Sequence, residues 1–438
     1  MAPLLPPLLC FQVLVAISIL AAASAAVSHV PCAAVPLSAL GVGPQHAAAN
    51  TATLQDAINT CSAAAGGVVL VPPGAWTVGC LQLRSHIELR LGVTYSTAAT
   101  LLASTNQSLY RPGCAALLSS SSSSDGRRLR NVSLSGHGVI DGTAASAAHD
   151  AHGGLLIKLV HLSNITGLRL DAVTVRNSPS WHVHLHSCEF VTVTDVNIWG
   201  PEQRGETDGL DLDSCRQVLV SRVDIGTGDD AIAIKSSGAA VTSDVLIEYA
   251  TLRRKEMAFG SSANCRNITV RHSAIGWGLY IKLHRDEVKN PGASVLTHSV
   301  LVEDCWTYEL PYPHWSDTYQ PCALAINLNY PCPVNLSAYH VPAQCAHHAC
   351  TLLLCSCVVF DVVAASLSRY ELVVGAGAGH TAASEQRHDS RDSRASLLRW
   401  CLHRPGAVAD RGVEGDRRDV RCAAVVGVAM LERARRSL

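Results

Sequence analysis

Residues 206–236 read ETDGLDLDSCRQVLVSRVDIGTGDDAIAIKS, and the prediction of the fold starts from this sequence. It holds two similar segments, residues 208–213 and 229–234, in which acidic residues precede alternating aliphatic ones. Leu210 and Ile232 take the same place in the two segments, 22 residues apart. Such an offset is typical of one turn of a solenoid. Because neighbouring strands lie about 4.8 Å apart, Asp208 is predicted to lie beside Asp230 on the next coil.

Asp229 adds a third carboxylate to this pair. A cluster of acids on a rigid wall provides the general acid and general base that hydrolysis of a sugar bond needs. Since consecutive strand residues face opposite sides, Asp229 and Asp230 reach one groove only if they lie at a bend. Solvated turn aspartates are an alternative, because Asp-Gly favours turns. A calcium site formed by Asp208, Asp211 and Asp213 is another, although no EF-hand spacing is present.

A repeat surrounds this stretch. The pattern apolar-x-apolar-x-x-apolar-x-apolar starts at Leu168, Val191, Val218, Val245, Ile268 and approximately Val300, with spacings of 23, 27, 27, 23 and 32 residues. Second short strands are predicted between these starts, over residues 182–185, 209–212, 231–234 and 280–283. Repeats of this length with two or three short strands predict an all-β chain folded as a right-handed parallel β-helix.

The N-terminal sequence predicts secretion. An apolar run at residues 8–21 and small residues at 22–26 are typical of a signal peptide over residues 1–26, with a membrane anchor as the alternative. The 17 cysteines favour an oxidising compartment and structural disulfides. The chain is therefore expected to be an extracellular or cell-wall protein, with no membrane association after signal removal. Five Asn-x-Ser/Thr acceptors predict a glycoprotein: Asn106, Asn131, Asn164, Asn267 and Asn335.

The β-helix is predicted to span residues 27–352. Within it, residues 27–50 are interpreted as an irregular arm, and a helix follows at 54–61 with Thr51 or Thr53 as its N-cap. Strands are expected at residues 68–71, within 81–91 and from 132 onward. The charge balance, 34 Lys and Arg against 35 Asp and Glu, gives no basic surface for nucleic acid.

Residues 353–438 form a divergent tail. From residue 384 onward the chain has 12 Arg, no Lys and no strand periodicity. We interpret the tail as either disordered or the product of a faulty gene model, such as a retained intron or a frame change. A basic interaction segment is the alternative.

Three further groups of residues have alternative interpretations. His182, His184 and His186 alternate on one predicted strand, but three ligands in line rarely close a tetrahedron, so no metal site is predicted. Cys188 and Cys215 take equivalent places on neighbouring coils, where they are expected to stack as a thiol ladder or to form a disulfide. Trp181 is predicted to be a core residue or part of a groove wall.

Taken in order, several motifs resemble those of the polygalacturonases, family 28 of the glycoside hydrolases, over about residues 54–330. The matching segments are Thr53-Leu-Gln-Asp-Ala-Ile58 with Val69-Leu-Val-Pro-Pro-Gly74, Gly138-Val-Ile-Asp-Gly142 for GTIDG, Asn177-Ser-Pro-Ser-Trp-His182 for NSPxWxxH, Glu206-Thr-Asp-Gly209 for NTDG, Gly228-Asp-Asp230 for GDD, Tyr280-Ile-Lys282 for RIK and Ile326-Asn-Leu-Asn-Tyr330 for I-x-Q-x-Y.

This resemblance implies a pectin-lyase-like β-helix that hydrolyses α-1,4-galacturonosyl bonds of pectin with inversion, as a monomer and without cofactor or metal. It implies that Asp229 is the general acid and that Asp208 and Asp230 activate the attacking water. Inversion needs carboxyl groups about 6.5 to 9.5 Å apart to admit that water, and crowding raises the pKa of one acid. Substrate-binding residues implied by the family are Lys282, Tyr330, His182 and Tyr280.

The chain departs from the family pattern at four places. The family's GHG histidine is absent where this chain has Arg254-Lys-Glu256, Glu206 replaces an Asn, Tyr280 replaces an Arg and Leu328 replaces a Gln. A catalytically inactive β-helix that binds cell-wall polysaccharide is therefore one alternative function. A calcium-dependent lyase on the same fold is a second. Endo and exo attack are both compatible with these motifs, as are galacturonan, rhamnogalacturonan and xylogalacturonan substrates.

Overall fold

The computed structural model describes residues 31–110, 113–114, 116–120, 127–143, 156–237, 240–260, 265–284, 296–303, 305–307, 324–330, 353–354, 358–363 and 398–399. These residues form a right-handed parallel β-helix, as the sequence predicts. Each coil contributes one strand to each of three long sheets, and each strand pairs with its equivalent on the next coil.

The three sheets share one order of strands along the solenoid axis. Sheet A has strands Pro31–Ala34, Gly67–Val71, Ile87–Leu91, Leu129–Ser135, Ile165–Asp171, Glu189–Thr194, Arg216–Ser221, Thr242–Glu248, Cys265–Arg271, Leu296–Glu303 and Val358–Val363. Sheet B has strands Gly74–Val78, Ala99–Ala103, Val139–Asp141, Thr174–Arg176, Asn197–Trp199, Asp224–Gly226, Thr251–Leu252, Ala274–Ile275, Cys305–Thr307 and Leu353–Leu354. Sheet C has strands Leu81–Leu83, Ala116–Ser120, Lys158–Ser163, Val183–His186, Leu210–Asp213, Ile232–Lys235, Met257–Gly260, Leu279–His284, Leu324–Tyr330 and Leu398–Arg399.

The predicted repeat gives the register of sheet A. Its starting residues pair in turn: Leu168 with Val191, Val191 with Val218, Val218 with Val245, Val245 with Ile268 and Ile268 with Val300. In sheet C, Leu210 pairs with Ile232, which confirms that 22 residues make one coil there. Side chains of equal position therefore stack into columns along the axis.

These columns form the core. The starting residues of the repeat have exposed fractions between 0% and 3%. A second column from sheet C runs through Leu162, Leu185, Leu212, Ile234 and Phe259, which are all fully buried. Burying aliphatic surface contributes about 25 cal/mol per Å², so the stacked columns stabilise the solenoid along its whole described length.

The chain turns between sheets at residues in the left-handed backbone region. One such corner recurs coil after coil, with φ of 56° at Ala172, 56° at Asp195, 53° at Arg222, 53° at Tyr249 and 49° at His272. Residues other than glycine rarely adopt this conformation because Cβ approaches the carbonyl oxygen. Its repetition at one position fixes the coil shape, and residue propensity alone would not have predicted it.

The N-terminal segment differs from the prediction. Residues 31–34 form a strand paired with Gly67–Val71, instead of belonging to an irregular arm. Helix α1 spans Ala47–Ala63 and begins directly after the 3-10 turn Pro44–His46, so neither Thr51 nor Thr53 is its N-cap. Thr51 Oγ1 instead donates to the carbonyl of Ala47 at 2.6 Å. The other 3-10 turns are Leu37–Ala39, Tyr95–Thr97 and Gln107–Leu109.

The described cysteines fall into two classes. Disulfides join Cys32 to Cys61 and Cys80 to Cys114, which ties α1 to the first strand and closes an early loop. Cys188 and Cys215 are buried free thiols, and the Cys188 amide lies 3.4 Å from Cys215 Sγ. Of the two predicted alternatives, the thiol ladder is therefore confirmed for this pair.

The ends of the chain are described only in part. The predicted signal peptide, residues 1–26, lies outside the described residues, as does most of the 353–438 tail. Three short strands from that tail extend the sheets, and each pairs antiparallel to its neighbour. No helix among the described residues is long and apolar enough to cross a membrane. Asn164, one of the five predicted glycosylation acceptors, is exposed.

Candidate active site

The predicted acid pair lies at one corner of neighbouring coils. Asp208 comes just before Leu210–Asp213, and Asp230 comes just before Ile232–Lys235. Backbone pairing extends beyond the strands, since the Gly209 amide donates to the Asp230 carbonyl at 2.9 Å. Asp208 and Asp230 therefore occupy equivalent positions one coil apart, as the 22-residue offset predicts.

Asp229 lies beside this pair at a bend formed with Gly228. Its side chain is half-buried, whereas Asp230 is 3% exposed. Asp229 Oδ1 accepts from the Asp230 amide and Oδ2 accepts from the Glu206 amide, both at 2.9 Å. The bend meets the condition stated from the sequence, and the two amides fix the plane of the Asp229 carboxyl group.

Gly228 allows this bend because its neighbours leave no room for a side chain. A Cβ there would lie 2.0 Å from the Arg204 carbonyl oxygen and 2.6 Å from the Pro201 carbonyl oxygen. We expect Gly228→Ala to displace the backbone that carries Asp229 and to destabilise the protein by about 1–3 kcal/mol, as a melting curve would measure. Gly205→Ala is the matched control, because its Cβ would meet nothing nearer than Asp229 Oδ2 at 4.0 Å. Equal melting temperatures for the two variants would contradict this prediction.

Asp208 is buried among charged groups. Lys235 Nζ lies 3.3 Å from Asp208 Oδ2 and 2.5 Å from Asp211 Oδ1. Burial, and then the charges of Asp211 and Asp230, raise the pKa of Asp208 well above its usual range, although the Lys235 ammonium opposes them. The pKa of Asp211 is also raised, chiefly by burial. The crowding predicted from sequence thus raises the pKa of Asp208, the residue assigned to water activation.

Lys235 was missed in the sequence analysis. It ends strand Ile232–Lys235, where it pairs with Asp213, and its ammonium reaches back over the coil that carries Asp208 and Asp211. The repeat could have indicated this contact, because Lys235 and Asp213 take equivalent outward-facing positions on neighbouring coils. The Lys235 ammonium occupies the space between two of the three carboxylates considered for calcium.

His182 does not fit the substrate-binding role inferred for it. The residue is fully buried, and its Nδ1 and Nε2 each lie 3.1 Å from a backbone oxygen, of Asp208 and of Trp199 respectively. Burial lowers the pKa of His182 to about 4, so the ring is neutral. His182 therefore supports the backbone at Asp208 and presents no surface to a ligand.

The last histidine of NSPxWxxH falls on His184 when the motif is counted from Asn177. His184 Nδ1 lies 2.8 Å from Lys158 Nζ, and its Nε2 lies 3.3 Å from Asp213 Oδ2. His161 stacks on the same ring, with centroids 4.7 Å apart. His182 and His184 thus have separate partners and do not form one set of ligands. Among the residues that the structure describes, no group of His, Cys, Asp and Glu is arranged to hold a metal ion.

The remaining predicted residues lie on later coils of sheet C. Tyr280 is 8% exposed and pairs with Ala258. Lys282 pairs with Gly260, and Tyr330 ends strand Leu324–Tyr330; the side chains of these two residues lie outside the described set. The roles of all three in substrate binding stay predictions.

The place of the expected GHG histidine is taken by a buried lysine. Lys255, which is 6% exposed, lies just before strand Met257–Gly260. Its Nζ lies 4.4 Å from the centroid of the Trp277 ring. A cation against an aromatic face thus stands on the C-terminal side of the three aspartates.

The chain is similar to known polygalacturonases. A probable polygalacturonase of Vitis vinifera is 31% identical over 205 residues, which are 43% of this chain and 41% of the relative. An exopolygalacturonase of Zea mays is 24% identical over 282 residues, which are 60% and 64% of the two chains. A solved polygalacturonase structure from Erwinia carotovora ssp. carotovora covers 70% of this chain and 86% of its own, at 19% identity and a TM-score of 0.48.

The aligned segments cover less than two thirds of either curated relative. The sequence model of the family described as glycosyl hydrolases family 28 matches residues 61–272. That region holds the paired coils of all three sheets and the corner with Asp208, Asp229 and Asp230. Over residues 61–272, this chain is thus similar to glycosyl hydrolases family 28.

Proposed function

We propose that this protein hydrolyses the α-1,4-galacturonosyl bonds of pectin with inversion of configuration. The observation that carries the proposal is the corner at which Asp229 is half-buried and held by two backbone amides, while Asp208 and Asp230 lie buried beside it. A partly exposed carboxyl with a fixed orientation suits proton donation to a bound substrate. Two acids at equivalent positions of neighbouring coils are suited to hold a water molecule.

In this proposal Asp229 protonates the leaving glycosidic oxygen. Asp208 and Asp230 hold the attacking water and remove its proton. Water attacks the anomeric carbon from the face opposite to the leaving group, so one displacement inverts the anomer. The match to the family model and the names of the curated relatives support pectic galacturonan as the substrate.

The proposed roles predict how hydrolysis depends on pH. A base must be ionised, and the pKa of Asp208 is raised by burial and by neighbouring carboxylates. We expect kcat/KM to fall as the pH decreases through that raised pKa, so the acidic limb lies above the usual carboxyl pKa of about 4. Kinetics on de-esterified polygalacturonate over a pH series would measure the limb. A limb at or below pH ~4 would contradict the role of Asp208 as a base.

The function itself is tested by product analysis. The protein is incubated with de-esterified polygalacturonate, and proton NMR follows the first anomer released. Early β-anomer from the α-linked polymer supports inverting hydrolysis, and early α-anomer contradicts inversion. An unsaturated product together with EDTA sensitivity would indicate a calcium-dependent lyase. Product lengths would separate endo from exo attack.

Secretion is part of the same proposal. Two disulfides, Cys32–Cys61 and Cys80–Cys114, support folding in an oxidising compartment. We infer that residues 1–26 are removed and that the mature protein acts as a monomer in the extracellular space or cell wall. N-terminal sequencing of protein recovered from the medium would show a start at residue 27, and an intact N-terminus would contradict signal cleavage.

A binding protein without activity is the second candidate function. The observation that favours it is Lys235, whose ammonium is ion-paired with Asp208 and Asp211. A carboxylate held by a buried cation is a weaker base, because the charge opposes proton uptake. This candidate expects binding of pectic polymer with no release of reducing ends by a folded sample. Release that Asp229→Asn abolishes would exclude it.

A further inference from the structure

A second cluster lies on sheet C, on the coils that precede the three aspartates. Its centre is Trp181, which is half-buried. Lys158 Nζ lies 4.0 Å and Lys235 Nζ lies 3.9 Å from the centroid of the indole ring. His184 meets the ring edge-on at 4.9 Å. Two ammonium groups therefore lie against one aromatic side chain, beside the acids.

The register of sheet C aligns this cluster with the acids. Val160 pairs with Val183, Val183 with Leu210 and Leu210 with Ile232. The residues two positions before these four are Lys158, Trp181, Asp208 and Asp230. Backbone hydrogen bonds continue the pairing to that point, including Leu159 N to Trp181 O at 3.4 Å. A cation, an indole and two acids therefore form one row along the solenoid axis.

The row is long enough for about two sugar units. Lys158 lies two coils from Asp208, which corresponds to about 10 Å at the usual strand spacing. That distance is about two linked pyranose rings. A polysaccharide that lies along the row and is cleaved at the acids therefore places a neighbouring sugar at Lys158 and Trp181.

The two lysines differ in their counterions. Lys235 has two carboxylate partners, whereas Lys158 forms no ion pair with any residue that the structure describes. Lys158 donates instead to the neutral Nδ1 of His184. The other ring nitrogen of His184 is directed at Asp213, so this histidine orients the lysine and is itself occupied.

The electrostatics of Lys158 favour a bound anion. Burial is the largest cause that lowers its pKa, and the nearby Lys235 ammonium also lowers it, against the opposing charges of Asp211, Asp213 and Asp208. An ammonium that is partly desolvated without a carboxylate partner gains from a bound anion. The half-buried indole beside it adds apolar surface next to the ammonium.

We propose that Lys158 and Trp181 form a subsite that binds the carboxylate of a uronosyl residue, on the side of the aspartates towards the N-terminal coils. The polymeric substrate in this inference rests on the function proposed above. The subsite sets a preference for free uronate over ester or neutral sugar at that position, because only a charged carboxylate pairs with Lys158.

Binding measurements test the subsite without turnover. Asp229→Asn serves as the parent, and calorimetry measures its Kd for de-esterified polygalacturonate and for the same polymer with its carboxyl groups reduced to alcohols. Adding Lys158→Met is expected to weaken binding to polygalacturonate about tenfold, the loss typical of a charge-assisted hydrogen bond, and to leave binding to the reduced polymer unchanged. Adding Lys158→Arg is expected to retain most of the affinity.

Arg222→Met is the matched control for loss of one positive charge. Arg222 pairs with Asp195 on an exposed corner away from sheet C, with an exposed side-chain fraction of 57%. Equal affinities of the Lys158→Met variant and its parent for polygalacturonate would overturn the subsite. So would equal losses on both polymers, a loss as large in Arg222→Met, or a parent that does not bind polygalacturonate. If Lys158→Met does not fold, Lys158→Gln is measured in its place, and the same outcomes overturn the subsite.

The two proposals fail in different ways. A wild-type protein that hydrolyses polygalacturonate while Lys158→Met binds normally refutes the subsite and keeps the function. A wild-type protein that releases no product, but whose binding depends on Lys158 and on the carboxylates of the polymer, refutes the hydrolase and keeps the subsite.

Discussion

Asp229→Asn is expected to lower kcat/KM on de-esterified polygalacturonate by about 10²- to 10⁴-fold, the range typical for loss of a general acid. The physical reason is that an amide cannot donate a proton to the leaving oxygen. The shape of the side chain is nearly kept, so Kd for the polymer is expected to change little. Initial-rate measurements of reducing ends, together with calorimetric Kd values, would check both parts.

A change of leaving group separates proton donation from a structural effect. Both Asp229 oxygens accept backbone N–H groups, at 2.9 Å each, and the amide of Asn can accept only one of them. The bend is therefore perturbed as well. If Asp229 is the acid, an aryl galacturonoside, whose phenolate leaves without protonation, is expected to lose much less rate than the polymer does. Equal losses on both substrates would assign Asp229 a structural role.

Asp195→Asn is the control for this substitution. Asp195 pairs with Arg222 on an exposed corner, and exposed ion pairs of this kind contribute about 0–1 kcal/mol. Its rate is expected to equal that of the wild-type protein. Unchanged release by Asp229→Asn on every pectic polymer would remove the main support for the proposed function.

The fold could largely be predicted because a β-helix brings residues that are one repeat apart in sequence into contact. Residues such as Val191 and Val218 are neighbours in space since they are one repeat apart, so periodicity gives the register directly. Helix α1 was placed too late, because its start follows the turn Pro44–His46 and not a capping side chain. The strand at residues 31–34 has no repeat partner upstream and was missed.

The candidate site was predictable only where one coil pairs with the next. Asp208 and Asp230 are one repeat apart, so their proximity followed from the offset. Lys235 reaches Asp208 with a long side chain from the end of a strand on the adjacent coil, and its contact with Trp181 spans a further coil. Such reach depends on rotamers, which periodicity does not encode. The burial of His182 depends on the path of the corner at Trp199 and was not visible either.

Lys235→Met is expected to destabilise the protein by about 3–5 kcal/mol at neutral pH, the range for removal of one partner from a buried ion pair. The side chains of Lys235 and Asp208 are each 8% exposed, and that of Asp211 is fully buried. Without the ammonium, two buried carboxylates remain with no cation between them. Their pKa values, which are already raised, would rise further.

The sign of the pH dependence follows from proton uptake. Acids with a folded-state pKa above the unfolded-state value bind more protons in the native state, so stability decreases as the pH rises between the two values. The deficit of Lys235→Met relative to wild type is therefore expected to be largest at pH ~7 and to shrink towards pH ~4, where the carboxyl groups become neutral. Melting temperatures of both proteins across that range would measure it.

Lys158→Met is the matched control, because it removes an ammonium from the same cluster that forms no ion pair with any described residue. It is expected to shift the melting temperature much less than Lys235→Met at neutral pH, without the same recovery in acid. A deficit for Lys235→Met that is independent of pH would show that the lysine acts through packing on Trp181, at 3.9 Å, and not through the two carboxylates. Recovery in acid would instead show that Lys235 keeps the buried Asp208 charged. Asp208 must be charged to act as a base.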